Sequence, residues 1–91
     1  MFYYIYVLKC SIDNKNQFYI GCCRDLEERI KSHLNKKVKT TKKFDKIKLI
    51  YYEACLDKAD AYKRELQLKT GFGRGYLKRR LKNYFKQAGV A

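Results

Sequence analysis

Along residues 2–10 apolar side chains fall on both alternations of an extended chain: Phe2, Tyr4, Tyr6 and Leu8 on one, Tyr3, Ile5 and Val7 on the other. A strand that is apolar on both sides belongs in the middle of a sheet, covered above and below. Residues 11–16 carry turn chemistry and residues 17–21 read as a second short strand, so the two form a β-hairpin with a longish loop. The period then changes. Asp25 and Glu28 make a capping-box-like pair at a helix start, with Leu26, Ile30 and Leu34 in one stripe and Glu27, Glu28, Lys31 and Ser32 opposite it. Residues 35–44 form a basic loop and residues 47–54 a third strand. Asp57, with Asp60 behind it, opens a second helix that runs to about residue 69 and is ended by Gly71. Gly71, Gly73 and Gly75 punctuate the chain before a third, strongly basic helix over residues 76–86. The order β-β-α-β-α-α predicts one α+β domain over residues 1–91, with helices flanking a small three-stranded antiparallel or mixed sheet.

Charge narrows the partners. Lys and Arg number 22 against 9 Asp and Glu, a formal net charge of +13. So large a positive field on so small a domain selects polyanions, unless it is only a solubilising lysine surface. No stretch approaches the ~20 apolar residues of a membrane span. The N-terminus lacks a basic start and a cleavage site, so a cytoplasmic protein with no membrane association is expected. Cys10, Cys22, Cys23 and Cys55 contain no C-x₂-C pair, which argues against zinc. Cys22 and Cys23 are expected on opposite faces of an extended segment.

Three polar side chains sit where the helical wheels are apolar. Arg29 and His33 share a face of the first helix, one turn apart. Arg29 is best placed to point at the sheet, or else to snorkel over apolar surface; His33 is otherwise a satisfied core-edge histidine. On the second helix Ala59, Ala61, Tyr62, Leu66 and Leu68 span an apolar half, with Asp60, Lys63, Arg64 and Gln67 opposite. Glu65 projects into the middle of the apolar half. A carboxylate there needs an ion-pair partner such as Arg29, or a bound cation. Gly21, two residues after Tyr19, marks a place of close backbone approach.

Taken in order, these segments resemble the GIY-YIG nucleases. Tyr19-Ile20-Gly21 matches the second half of that motif, and Tyr4-Ile5-Tyr6 matches the first with tyrosine for glycine. Arg29 and His33 lie in a segment similar to the family's D-L-x-x-R helix, and Glu65 lies in one similar to the A-x-x-R-E-x-x-L-K segment of small free-standing members. Those members are kin to the nuclease domain of the bacterial repair excinuclease. The likeness runs from about residue 2 to residue 81. Two features depart from larger members: Cys22 and Cys23 stand where a base-assisting lysine can occur, and Leu77 stands where an asparagine follows the glutamate.

The resemblance implies a metal-dependent endonuclease that hydrolyses phosphodiester bonds, DNA being the expected polymer, in DNA repair or recombination. It implies catalytic roles for Tyr6, Tyr19, Arg29, His33 and Glu65. Glu65 would hold one Mg²⁺ or Mn²⁺; Arg29 would stabilise charge on the phosphate. Tyr6 is the expected base, its phenol pKa lowered from about 10 by the adjacent metal and Arg29, with Tyr19 bonded nearby and the two able to exchange roles. His33 is expected to orient the water or the phosphate. Lys36, Lys37, Lys39, Lys42 and Lys43 on the loop, and Arg74, Lys78, Arg79, Arg80 and Lys82 near the third helix, are expected to follow the nucleic-acid backbone. Such contacts carry no sequence information, so specificity falls to substrate structure or to a protein partner. The alternative is a nucleic-acid-binding module of the same fold with little or no turnover.

Overall fold

The strand that is apolar on both sides is the centre of the sheet. In the computed structural model, which describes residues 1–87, β1 (Tyr3–Ile12) pairs antiparallel with β2 (Lys15–Cys23) on one side and β3 (Lys46–Cys55) on the other. The strand order is β2-β1-β3, leaving β2 and β3 as edges. The helices are α1 (Leu26–Leu34), α2 (Lys58–Leu68), α3 (Gly71–Arg80) and α4 (Lys82–Gln87). The architecture is α+β with one helix more than the periodicity indicates. No helix among the described residues is long and apolar enough to cross a membrane.

The two faces of β1 organise two cores. Tyr6, Leu8 and Cys10 pack with Phe44 and with Leu26 and Ile30 of α1. Ile5 and Val7 pack with Ile20, with Ala61 and Leu68 of α2, and with Leu77 of α3. Cys22 joins the second face and Cys23 the first, as the alternation of an extended chain requires.

Several local features differ from what the periodicity predicts. The hairpin loop is a tight two-residue turn: Asp13 and Asn14 take φ of 52° and 63°, and Ile12 pairs with Lys15. Asx residues tolerate that left-handed pair, and the turn's twist matches the strands. Ser11, Lys15 and Asn16, read as loop, belong to the strands; Ser11 Oγ donates to Asn16 Oδ1 across the ladder at 2.6 Å.

The α1 stripe is shorter than it reads, because Leu34 is exposed. On α2 only Ala61 and Leu68 are buried, whereas Tyr62 and Leu66 face solvent and Arg64 turns inward. Arg64 finds Glu53 there. A bulge between Val7 and Leu8 puts Ile50 and Tyr51 on the same face of β3, which reverses the alternation and brings Glu53 to the α2 side. The Arg64 guanidinium then bonds both Glu53 oxygens at 2.9 Å and lies 4.7 Å over the Tyr76 ring.

The three glycines do not separate the helices; they form the start of α3. Thr70 caps it, accepting from the Gly73 amide at 3.2 Å. A Cβ at Gly73 would lie 2.3 Å from the Leu68 backbone, so the glycine is what lets α3 turn tightly onto the end of α2. The basic helix expected over residues 76–86 is thus two pieces, broken at Leu81.

Candidate active site

Tyr6 lies at the point where β1 meets α1, with no exposed surface. Asp25 caps α1 by accepting from the Glu28 amide at 3.0 Å, which fixes the helix start and aims Arg29 and His33 at the sheet. Arg29 Nε donates to the Tyr6 hydroxyl at 3.2 Å, and that hydroxyl is 2.8 Å from His33 Nε2. His33 Nδ1 is in turn 2.8 Å from Thr41 Oγ1. Thr41 and His33 are both sealed from solvent. Tyr19, on β2, closes the group: its ring centroid is 5.1 Å from that of His33 and 6.2 Å from that of Tyr6. Gly21 makes the packing possible, because a Cβ there would fall 2.4 Å from the Tyr6 hydroxyl oxygen. Four of the expected residues, Tyr6, Tyr19, Arg29 and His33, therefore meet in one cluster.

The electrostatics of the cluster change the expected roles. Burial pushes the Tyr6 phenol up to about 12, only partly offset by the Arg29 hydrogen bond. Arg29 alone therefore does not lower the Tyr6 phenol; a bound cation nearby would have to supply the rest. Burial, helped by the Arg29 charge, pulls His33 down to about 4, so the imidazole is neutral. With no surface, it cannot touch water or a phosphate directly. Tyr19 is the tyrosine of the pair that keeps solvent exposure.

Glu65 stands apart from that cluster. It reaches the β2 edge from the opposite face of the sheet and lines a cleft of 410 Å³ with Tyr3, Cys22, Cys23, Arg24, Lys58 and Tyr62. Its ion-pair partner is Lys69, one turn on in sequence, with Nζ 2.6 Å from Oε2; Arg29 is engaged by Tyr6 instead. Lys69 also lines the next cleft along the same edge, together with Tyr19 and Arg74. Lys69 thus spans the gap between the carboxylate and the tyrosine cluster. The spacing of Lys69 four residues after Glu65 was visible in the sequence, but it reads equally as a solvated helix end. Burial raises the Cys23 thiol to about 11, so it is a neutral neighbour of Tyr6 and Arg29. Leu77 is fully buried in the α2–α3 core and offers nothing to the site.

Among the described residues no group of three or more His, Cys, Asp or Glu side chains could enclose a metal. A lone carboxylate beside an open cleft suits a hard divalent ion that keeps most of its waters and takes oxygen ligands, as Mg²⁺ and Mn²⁺ do. Glu65 fits that requirement.

The basic residues divide into two groups. Lys37, Lys39, Lys42 and Lys43 project from the loop before β3; Lys36, with φ 61°, bends back to the Phe44 carbonyl. Arg74, Lys78, Arg79, Arg80 and Lys82 lie exposed along α3 and the start of α4. Thr41 is the residue that sequence reasoning missed. It sits in a run of lysines and threonines whose composition signals solvent, and only the tertiary fold turns its hydroxyl inward.

The family model for the GIY-YIG catalytic domain matches residues 2–76. A UPF0213 protein of Staphylococcus saprophyticus is 38% identical over 69 residues, covering 75% of this chain and 80% of that protein. One from Staphylococcus epidermidis is 35% identical over 69 residues, with the same coverage. One from Clostridium perfringens is 37% identical over 67 residues, covering 72% of this chain and 69% of the relative. No solved structure matches the chain.

Proposed function

The chain belongs to the GIY-YIG family, a nuclease family, and on that footing we propose that it is a metal-dependent endonuclease acting on DNA. The observation that carries the reading is the meeting of Tyr6, Tyr19, Arg29 and His33 beside a sheet edge that Glu65 and Lys69 reach from the other face.

Phosphodiester hydrolysis needs a base for the attacking water, relief of charge on the phosphoryl oxygens and help for the leaving oxygen. Arg29 supplies the second: a planar cation with donors to spare beyond the one spent on Tyr6. Tyr19 takes the role of base, because it is the tyrosine that keeps solvent exposure, in the cleft it shares with Lys69 and Arg74. Tyr6, buried and held neutral, fixes the Arg29 guanidinium. Glu65 would hold the divalent metal, which when bound would supply Lewis-acid chemistry at the phosphate. The exposed cations of the loop and of α3–α4 hold the backbone of the polymer, leaving specificity to DNA structure or a protein partner. Work in DNA repair or recombination agrees with this, since such substrates are defined by shape.

A nucleic-acid-binding module with little turnover is the second reading, favoured by the high phenol pKa of Tyr6 and by the buried Leu77. Nicking of supercoiled and branched DNA in Mg²⁺ or Mn²⁺ separates the two. Wild type should cleave; Glu65→Ala and Arg29→Ala should each lose roughly 100-fold or more, and Tyr19→Phe should lose more than Tyr6→Phe. Binding that survives in every variant with no cleavage by wild type would establish the second reading.

A further inference from the structure

The hydrogen bonds around Tyr6 have only one self-consistent direction, and it ends on a residue outside the expected catalytic set. Arg29 Nε can only donate, so the Tyr6 oxygen is the acceptor at 3.2 Å and its own proton must go elsewhere. Among the described residues the other hydrogen-bond partner of that hydroxyl is His33 Nε2, at 2.8 Å. Nε2 must then present its lone pair. Burial keeps the imidazole neutral, so its single proton is on Nδ1, 2.8 Å from Thr41 Oγ1. The threonine proton continues to the Val38 carbonyl at 3.5 Å. The opposite tautomer would point Nε2–H at an oxygen already receiving Arg29 and would leave the buried Tyr6 proton with no acceptor.

We propose that Thr41 is a positioning residue: its hydroxyl accepts the Nδ1 proton of His33, which reserves Nε2 for the Tyr6 phenol and so holds Arg29 in register. Thr41 is locked for this. Its amide donates to the Val38 carbonyl and its carbonyl accepts from the Phe44 amide, both at 3.1 Å, so the backbone of the basic loop fixes where the hydroxyl points. Exposed Lys39, Lys42 and Lys43 surround Thr41, which with Phe44 is buried in that loop. The tautomer stands on the hydrogen-bond geometry and on the neutrality that burial gives the imidazole; its consequence for catalysis rests on the nuclease reading.

His33 is the only histidine in the chain, so imidazole nitrogen correlation spectra report it without overlap. Wild type should show the Nδ1–H tautomer with an acceptor-type Nε2. Thr41→Val removes the hydroxyl at nearly constant shape and should mix or invert the tautomers, and Thr41→Ser should restore them. In the cleavage assay Thr41→Val should lower kcat roughly 10-fold or more by misplacing Arg29, with KM little changed, and Thr41→Ser should recover it. An Nε2–H tautomer in wild type overturns the proposal, even where Thr41→Val does not fold. So does a Thr41→Val protein that keeps the wild-type tautomer. Absence of cleavage by wild type would refute the nuclease reading, while the spectra would still decide the role of Thr41.

Discussion

Tyr6 and Gly21 occupy one volume: a methyl group on residue 21 would lie 2.4 Å from both the phenolic carbon and the hydroxyl oxygen of Tyr6. The ring cannot swing away, because it is fully buried and its hydroxyl is tied to Arg29 and His33. Gly21→Ala is therefore an overpacking change in the middle of the site. It should destabilise the fold by about 1–3 kcal/mol and abolish most cleavage. A urea midpoint equal to that of wild type would show that the site relaxes around the methyl group.

The buried imidazole makes stability depend on acidity. The folded-state pKa of His33 is lowered from the ordinary 6.5 to about 4, so on acidification the unfolded chain takes up the proton first. Its contribution is fully present above pH 6.5 and is lost as pH falls from 6.5 through about 4. His33→Gln should flatten that part of the stability curve while lowering stability at pH 7. Unfolding curves at pH 7, 5.5 and 4.5 for both proteins test this; parallel curves would mean that His33 does not carry the dependence.

Glu53 and Arg64 form the bidentate pair that ties β3 to α2, and both side chains are a quarter exposed. Tyr51 donates to the same carboxylate at 2.8 Å. The Arg64 hydrogen bonds and charge outweigh burial and hold Glu53 below the usual carboxylate range. Removing one partner leaves the other three-quarters buried and uncompensated. Arg64→Met should cost about 1–3 kcal/mol, less than a fully buried pair because solvent screens part of it. A double variant Glu53→Gln/Arg64→Met should be less destabilised than the sum of the single changes, as measured by thermal or urea unfolding.

Periodicity reveals much of this fold because the main elements are long enough to carry it. A strand apolar on both alternations could only be central, and the Asp25 and Asp57 caps marked the starts of α1 and α2. Polar residues misled at the hairpin, where Ser11 and Asn16 look like loop and are paired strand. They misled again at Gly71–Gly75, since three glycines read as a break unless the contact of Gly73 with Leu68 is known. The bulge in β3 is invisible to a period of two, so Glu53 and Arg64 could not be matched in advance. Within the candidate site, the ordered motifs pointed to Tyr6, Tyr19, Arg29 and His33, which the fold brings together, and to Glu65, which it places on the other face. Their burial was not legible, because residue patterns give direction and not depth: Tyr6 and His33 lie at zero exposure and Tyr19 does not.

Lys69 supplies the remaining prediction. Its ammonium sits 2.6 Å from a Glu65 oxygen, where the proposed cation would bind, and its side chain also borders the cleft that holds Tyr19 and Arg74. A lysine at that place competes with a divalent ion for the carboxylate while attracting the phosphates of a polymer. The two effects predict opposite responses to one substitution. Lys69→Met should tighten Mn²⁺ binding, read by paramagnetic relaxation or calorimetry, by roughly fivefold, the scale of about 1 kcal/mol for a partly exposed pair. The same variant should bind DNA more weakly, with the salt dependence reduced by about one counterion. Lys69→Arg should keep both properties near wild type. Equal Mn²⁺ affinity in wild type and Lys69→Met would remove the lysine from the metal site, and loss of Mn²⁺ binding in Glu65→Gln alone would then leave the carboxylate acting without it.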